Sequence, residues 1–160
     1  MVLFLKLLII IVLLSIFYQD NKERLVSVYL YFLVAILGII LYSFNTPSYL
    51  VMFFENLINI FIVSLVLILA FFTSKLLFKC KFLNHSFGVG DLFMFLSLCF
   101  LFPSTTFIIF FVFSLFFSLL IHLIISKKNN TIPLAGYMSL FYALIYVFTI
   151  IFKFNPYTLY

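Results

Sequence analysis

Six runs of apolar side chains, separated by short polar breaks, leave this chain few folds to choose from. The runs cover residues 2–18, 25–44, 49–78, 92–102, 107–125 and 132–152. Most reach the ~17 to 25 residues that an α-helix needs to cross a bilayer. In hydrocarbon every backbone amide must find its partner within the protein, and a helix pairs them within one segment. With 68% hydrophobic and 8% charged residues and a mean hydropathy of +1.39, a chain of 160 residues has too much apolar surface to hide from water as a soluble globule. The expected fold is all-α, a polytopic membrane protein with six transmembrane helices. No fixed-period repeat and no long linker divides it, so residues 1–160 read as one membrane-embedded domain.

The first run reads as a retained helix rather than a cleaved signal peptide. Lys6 falls inside it, where its stem can snorkel toward the nearer interface, and no small-x-small cleavage site follows. The breaks then set an orientation. One set of loops holds Lys22, Arg24, Lys75, Lys79, Lys81, Lys127 and Lys128; the other holds only Lys6 and Lys153. The positive-inside rule puts the first set in the cytoplasm and both termini outside, as expected for a multi-pass protein of the cell inner membrane. The net charge of +5 is therefore an orientation signal. No basic face with aromatic platforms is in view, and nucleic-acid binding is not expected.

One break carries more than charge. Phe87-Gly88-Val89-Gly90-Asp91 holds two of the four glycines and one of the only two aspartates in the chain. Glycines there give the backbone conformations closed to other residues and allow a neighbouring segment to come close. Asp91 is placed at the mouth of a membrane helix, where an ionisable group is costly unless it meets water or a partner. The other aspartate, Asp20, follows the first run, and the charge count puts both on the cytoplasmic side. Two carboxylates that share a proton titrate apart, one low and one high. The ionised one can then activate a water while the protonated one polarises a peptide carbonyl, without metal or cofactor. The plainer alternative is that each aspartate marks a helix end, and spacing takes the choice no further.

Three segments carry a resemblance. Phe87-Gly88-Val89-Gly90-Asp91 resembles the GxGD motif of membrane aspartyl peptidases. The stretch from Asp20 through Asn21-Lys22-Glu23-Arg24-Leu25-Val26-Ser27 resembles the first-aspartate motif of the prepilin and preflagellin peptidases, with Lys22, Arg24 and Val26 matching and Ser27 in the place of a proline. Lys128-Asn129-Asn130-Thr131-Ile132-Pro133-Leu134-Ala135 is similar to that family's basic loop and Ile-Pro before the last helix. The resemblance implies an aspartic-type endopeptidase with Asp20 and Asp91 as catalytic dyad, Gly88 and Gly90 shaping the approach of backbone and substrate, and Pro133 positioning the last helix. Its substrate would be a membrane protein precursor, a single helix in the lipid bilayer with a short basic leader in the cytoplasm. Phe93 stands where many members have a lysine, and Gly136-Tyr137 where a further proline is usual, so the leader is expected to differ from the standard one. Cys80 and Cys99 are not at zinc-ligand spacing, and the methyltransferase-associated insert of larger relatives is missing.

The remaining polar residues are read as local. His85 is expected to be a solvated loop histidine, His122 an interfacial group, and Cys80 a free cytoplasmic thiol; no metal site is expected. Glu55, Asn56 and Asn59 most simply mark where the third helix meets the outer interface, with binding to a neighbouring helix as the alternative. Two other functions stay open: a non-catalytic relative acting as an assembly component, and a small transporter using the two carboxylates as a proton or cation site.

Overall fold

The computed structural model describes residues 1–46, 48–73, 88–125 and 133–157. Those residues form six helices: α1 (Val2–Glu23), α2 (Val28–Ser43), α3 (Tyr49–Thr73), α4 (Val89–Leu98), α5 (Ser104–Ile125) and α6 (Leu134–Ile151). The fold is all-α. α1, α3, α5 and α6 are long and apolar enough to cross a membrane. α2 and α4 are shorter, and at 1.5 Å per residue the ten residues of α4 reach only ~15 Å. Pro47, the loop cations Lys75, Lys79, Lys81, Lys127 and Lys128, and Cys80, Asn84, His85 and Phe87 lie outside the described residues.

Two helices, α1 and α5, run further than the apolar pattern alone implies, while α2 and α6 are slightly shorter than their runs. α1 continues through Asp20 to Glu23, because a polar residue at a helix end need not break it; the helix stops at Arg24, which is left-handed with φ 55°. α5 begins at Ser104, directly after Pro103, so Ser104, Thr105 and Thr106 form its first turn rather than a loop. The residues expected to separate the fourth and fifth runs are therefore mostly helical.

α6 is the central helix, half buried, packed along α1 on one side and α5 on the other. α2 joins α1 to α4, and α3 leans on α5. The buried face of α1 is Leu5, Ile9, Leu13, Ile16 and Asp20, spaced by three or four residues, so Asp20 continues an apolar stripe. At the far end of the same helix pair, Lys6 Nζ donates to Thr149 Oγ1 at 3.1 Å. Lys6 is thus docked on α6, where the sequence alone left it reaching for the interface. Away from this core the surface is apolar: Phe53, Phe54, Phe61 and Ile68 on α3, and Phe113, Phe116 and Leu123 on α5, are all exposed. An apolar surface of that extent requires a lipid environment, and the chain is a membrane protein.

The short α4 ends inside protein. Cys99, Leu101, Phe102 and Pro103, which turn the chain into α5, are all buried. Non-helical backbone at membrane depth is tolerated only when protein covers it and satisfies its carbonyls. α3 does this. Asn59, fully buried, donates from Nδ2 to the carbonyls of Cys99 at 2.9 Å and Phe102 at 3.0 Å. Glu55 Oε2 accepts from the Ser104 amide at 2.6 Å. The polar group on α3 therefore binds a neighbouring turn instead of marking an interface. Phe102 is held by stacked Tyr142, Tyr146 and Tyr157, the last brought in by the C-terminal segment.

Candidate active site

The two aspartates meet at the N-terminus of α6. The first amides of any helix have no intrahelical acceptor. In most helices a Ser, Thr, Asp or Asn at the N-cap supplies one. Here the N-cap is Pro133, which makes no side-chain cap bond. The acceptors come instead from two other helices. Gly136 N donates to Asp20 Oδ2 at 2.6 Å, and Ala135 N donates to Asp91 Oδ1 at 2.8 Å. Asp20 lies in the last turn of α1 and Asp91 in the first turn of α4, so consecutive amides of one helix fasten carboxylates far apart in sequence side by side. The positive end of the α6 dipole favours negative charge at this point.

Each carboxylate keeps one oxygen not engaged by α6. Asp91 also reaches back to the amide of Gly88, the N-cap of its own helix, in the manner of a capping box. Asp20 lies within electrostatic reach of Asp91 and of Arg24. Asp20 is 9% exposed, and Asp91 is half-buried. Two acidic groups are thus held by adjacent amides of one helix N-terminus, largely out of bulk solvent.

The glycines act through their missing side chains. No described glycine has positive φ, and Gly88 sits at φ −72°, ψ 140°, which any residue can adopt. The conformational freedom expected of Gly88 and Gly90 is not used, because the segment is the start of a regular helix. Close approach is what they provide. A Cβ on Gly88 would lie 3.0 Å from Asp91 Oδ2, and one on Gly90 would lie 3.1 Å from the Tyr31 hydroxyl. Pro133 precedes α6, and its carbonyl accepts from Tyr137 N at 3.1 Å.

Two residues at the site are not legible as such in the sequence. At Gly136 a Cβ would meet Asp20 Oδ2 at 2.9 Å and Asp20 Cβ at 3.0 Å. The only signal was a small pair, Ala135-Gly136, following a proline in a chain poor in glycine. Tyr31 of α2 gave none, being one of ten tyrosines. Its hydroxyl feels the charge of both carboxylates, and its ring stacks on Phe93 with centroids 6.2 Å apart. Phe93, which stands where the resemblance implies a lysine, packs against Tyr31.

The other candidates are elsewhere. His122 is in the last turn of α5, and Cys99 is a buried free thiol whose Sγ lies 3.3 Å from the Phe95 carbonyl. Among the described residues no group of His, Cys, Asp and Glu could hold a metal ion. Compared with known proteins, the chain matches no protein-family model, no curated protein and no solved structure.

Proposed function

We propose that the protein is a membrane aspartyl endopeptidase that removes the leader of a prepilin-like, single-helix precursor at the cytoplasmic face of the cell membrane, with both of its own termini outside. The observation that carries this reading is the fastening of Asp20 and Asp91 to the adjacent amides of Gly136 and Ala135. The motif resemblance in three segments adds support, since their described residues Asp20, Asp91 and Ala135 meet at this point.

In this reading the dyad holds one proton between its two carboxyls. The ionised carboxylate takes a proton from a water whose oxygen bonds to the scissile carbonyl carbon, while the protonated carboxyl gives its proton to the carbonyl oxygen. A neutral gem-diol results, and the dyad again carries one proton. On collapse the C–N bond breaks, the nitrogen receives the dyad proton, and a gem-diol hydroxyl returns its own. The products are a carboxylic acid and an amine, and the dyad is restored. The amides of α6 hold the carboxylates in place throughout without changing partners, which is the preorganisation that acid–base catalysis requires.

A structural observation favours one other reading, the assembly component: the same carboxylates complete the cap that Pro133 cannot provide. Asparagine separates the two, because it caps a helix about as well as aspartate but cannot exchange protons. Co-expression with precursors bearing a basic leader, read by intact mass, is the test. Asp20→Asn and Asp91→Asn accumulate normally and cut nothing if the site is catalytic. A precursor still cut in either variant, or never cut by the unaltered protein, removes the peptidase reading.

A further inference from the structure

Tyr31 lies in the second turn of α2, 2% exposed, with its ring stacked on Phe93 and its hydroxyl facing Gly90. The hydroxyl has no hydrogen-bond partner among the described residues. Buried hydroxyls nearly always have one, because leaving a donor unpaired away from water is costly. This one sits where both Asp20 and Asp91 act on it, yet it bonds to neither. A Cβ built on Gly90 would lie 3.1 Å from it, so any larger residue there would crowd it. The site therefore holds an unpaired donor against Gly90, the residue that precedes Asp91. A phenol keeps its proton near neutral pH, so it serves there as a donor and not as a base.

On the peptidase reading, which this inference rests on, the scissile peptide lies beside Asp91 and so within reach of this donor. We infer that the Tyr31 hydroxyl is a third catalytic group, donating a hydrogen bond to the carbonyl oxygen of the scissile peptide as that oxygen becomes part of the gem-diol. Tyr31 keeps its proton throughout, and the transfers between water, dyad and peptide are unchanged. Gly90 is needed because a side chain there would push the hydroxyl aside, and Phe93 fixes the ring that carries it. A donor that meets its acceptor only when substrate is bound favours the transition state over the empty enzyme, the condition for raising kcat.

The test is Tyr31→Phe, which keeps the ring and its contact with Phe93 and removes one oxygen. The substrate is a synthetic precursor with a basic leader ending in glycine and one apolar helix, reconstituted with the enzyme in vesicles. The expected result is a fall in kcat of roughly 100-fold, with KM within a few-fold of the original and the pH limbs of the rate unmoved, since the dyad is intact. Melting in detergent stays level or rises, because an unpaired buried group has been removed; a merely structural role would lower it. Gly90→Ala slows the original enzyme but has little further effect in the Tyr31→Phe background, as coupled positions do. Cleavage by Tyr31→Phe at the original rate overturns the inference and leaves the peptidase reading standing, provided Asp20→Asn is inactive in the same vesicles. Cleavage surviving Asp20→Asn, or none by the original enzyme, removes both.

Discussion

Adding one methyl group at Gly136 tests the geometry of the site most directly. In the absence of a neighbour, Gly→Ala inside a helix is stabilising by up to ~1 kcal/mol. At Gly136 the new Cβ would sit 2.9 Å from Asp20 Oδ2 and 3.0 Å from Asp20 Cβ, whereas ordinary contact begins near 3.4 Å. The carboxyl could swing away, but the Cβ of Asp20 is fixed to the α1 backbone. α1 and α6 must therefore separate by about half an ångström at this end. The Gly136 to Asp20 bond, 2.6 Å in the native protein, would stretch to about 3.1 Å, near the long end of the usual amide range. Overpacking typically costs ~1 to 3 kcal/mol, so after the helix-propensity gain Gly136→Ala should be destabilised by about 1 kcal/mol. On the proposed peptidase function, catalysis should suffer more than stability, because a 1 Å misplacement is worth ~100-fold and half of that roughly tenfold. Stability is read in detergent by heating a Cys80→Ser protein with a thiol-reactive fluorophore that reports exposure of the buried Cys99. Rate is read by precursor cleavage. A Gly136→Ala protein that melts higher than the original and cuts at full rate would refute the close approach of α1 and α6 on which the dyad depends.

The Asp20→Asn, Asp91→Asn double variant should be scarcely less active than either single one, since groups that act as a unit do not lose activity additively; activity multiplying down would separate the two residues. Asn59→Ala should lower stability by about 1 to 2 kcal/mol, read as earlier melting in detergent, because two carbonyls at the α4–α5 turn lose their donor; unchanged melting would mean the turn is held otherwise. For topology, Cys80 should react with an impermeant thiol reagent only once the membrane is opened, and Ser48→Cys should react in intact spheroplasts. The opposite pattern would turn the dyad outward.

What the amino-acid order determined by itself is the class: apolar runs too long and too many for water dictate helices in lipid, and the polar breaks show where they stop to within a few residues. It also singled out Asp20 and Asp91, because a carboxylate is conspicuous in a chain where 8% of residues are charged. What it could not reveal is which side of each helix faces protein. In a soluble helix the buried stripe stands out against polar residues, but beside lipid both sides are apolar. The register of Leu5, Ile9, Leu13, Ile16 and Asp20 is therefore invisible until α6 is packed against it. The same holds for Asn59, whose partners are the carbonyls of a turn in another part of the chain. Tertiary structure alone decided that the orphan amides of α6 are taken up by the two aspartates, that Gly136 lets α1 come close enough to use one, and that Tyr31, one aromatic residue among many, is the one whose hydroxyl lies against Gly90. Each depends on distances between helices, and those are fixed by packing rather than by any local pattern of residues.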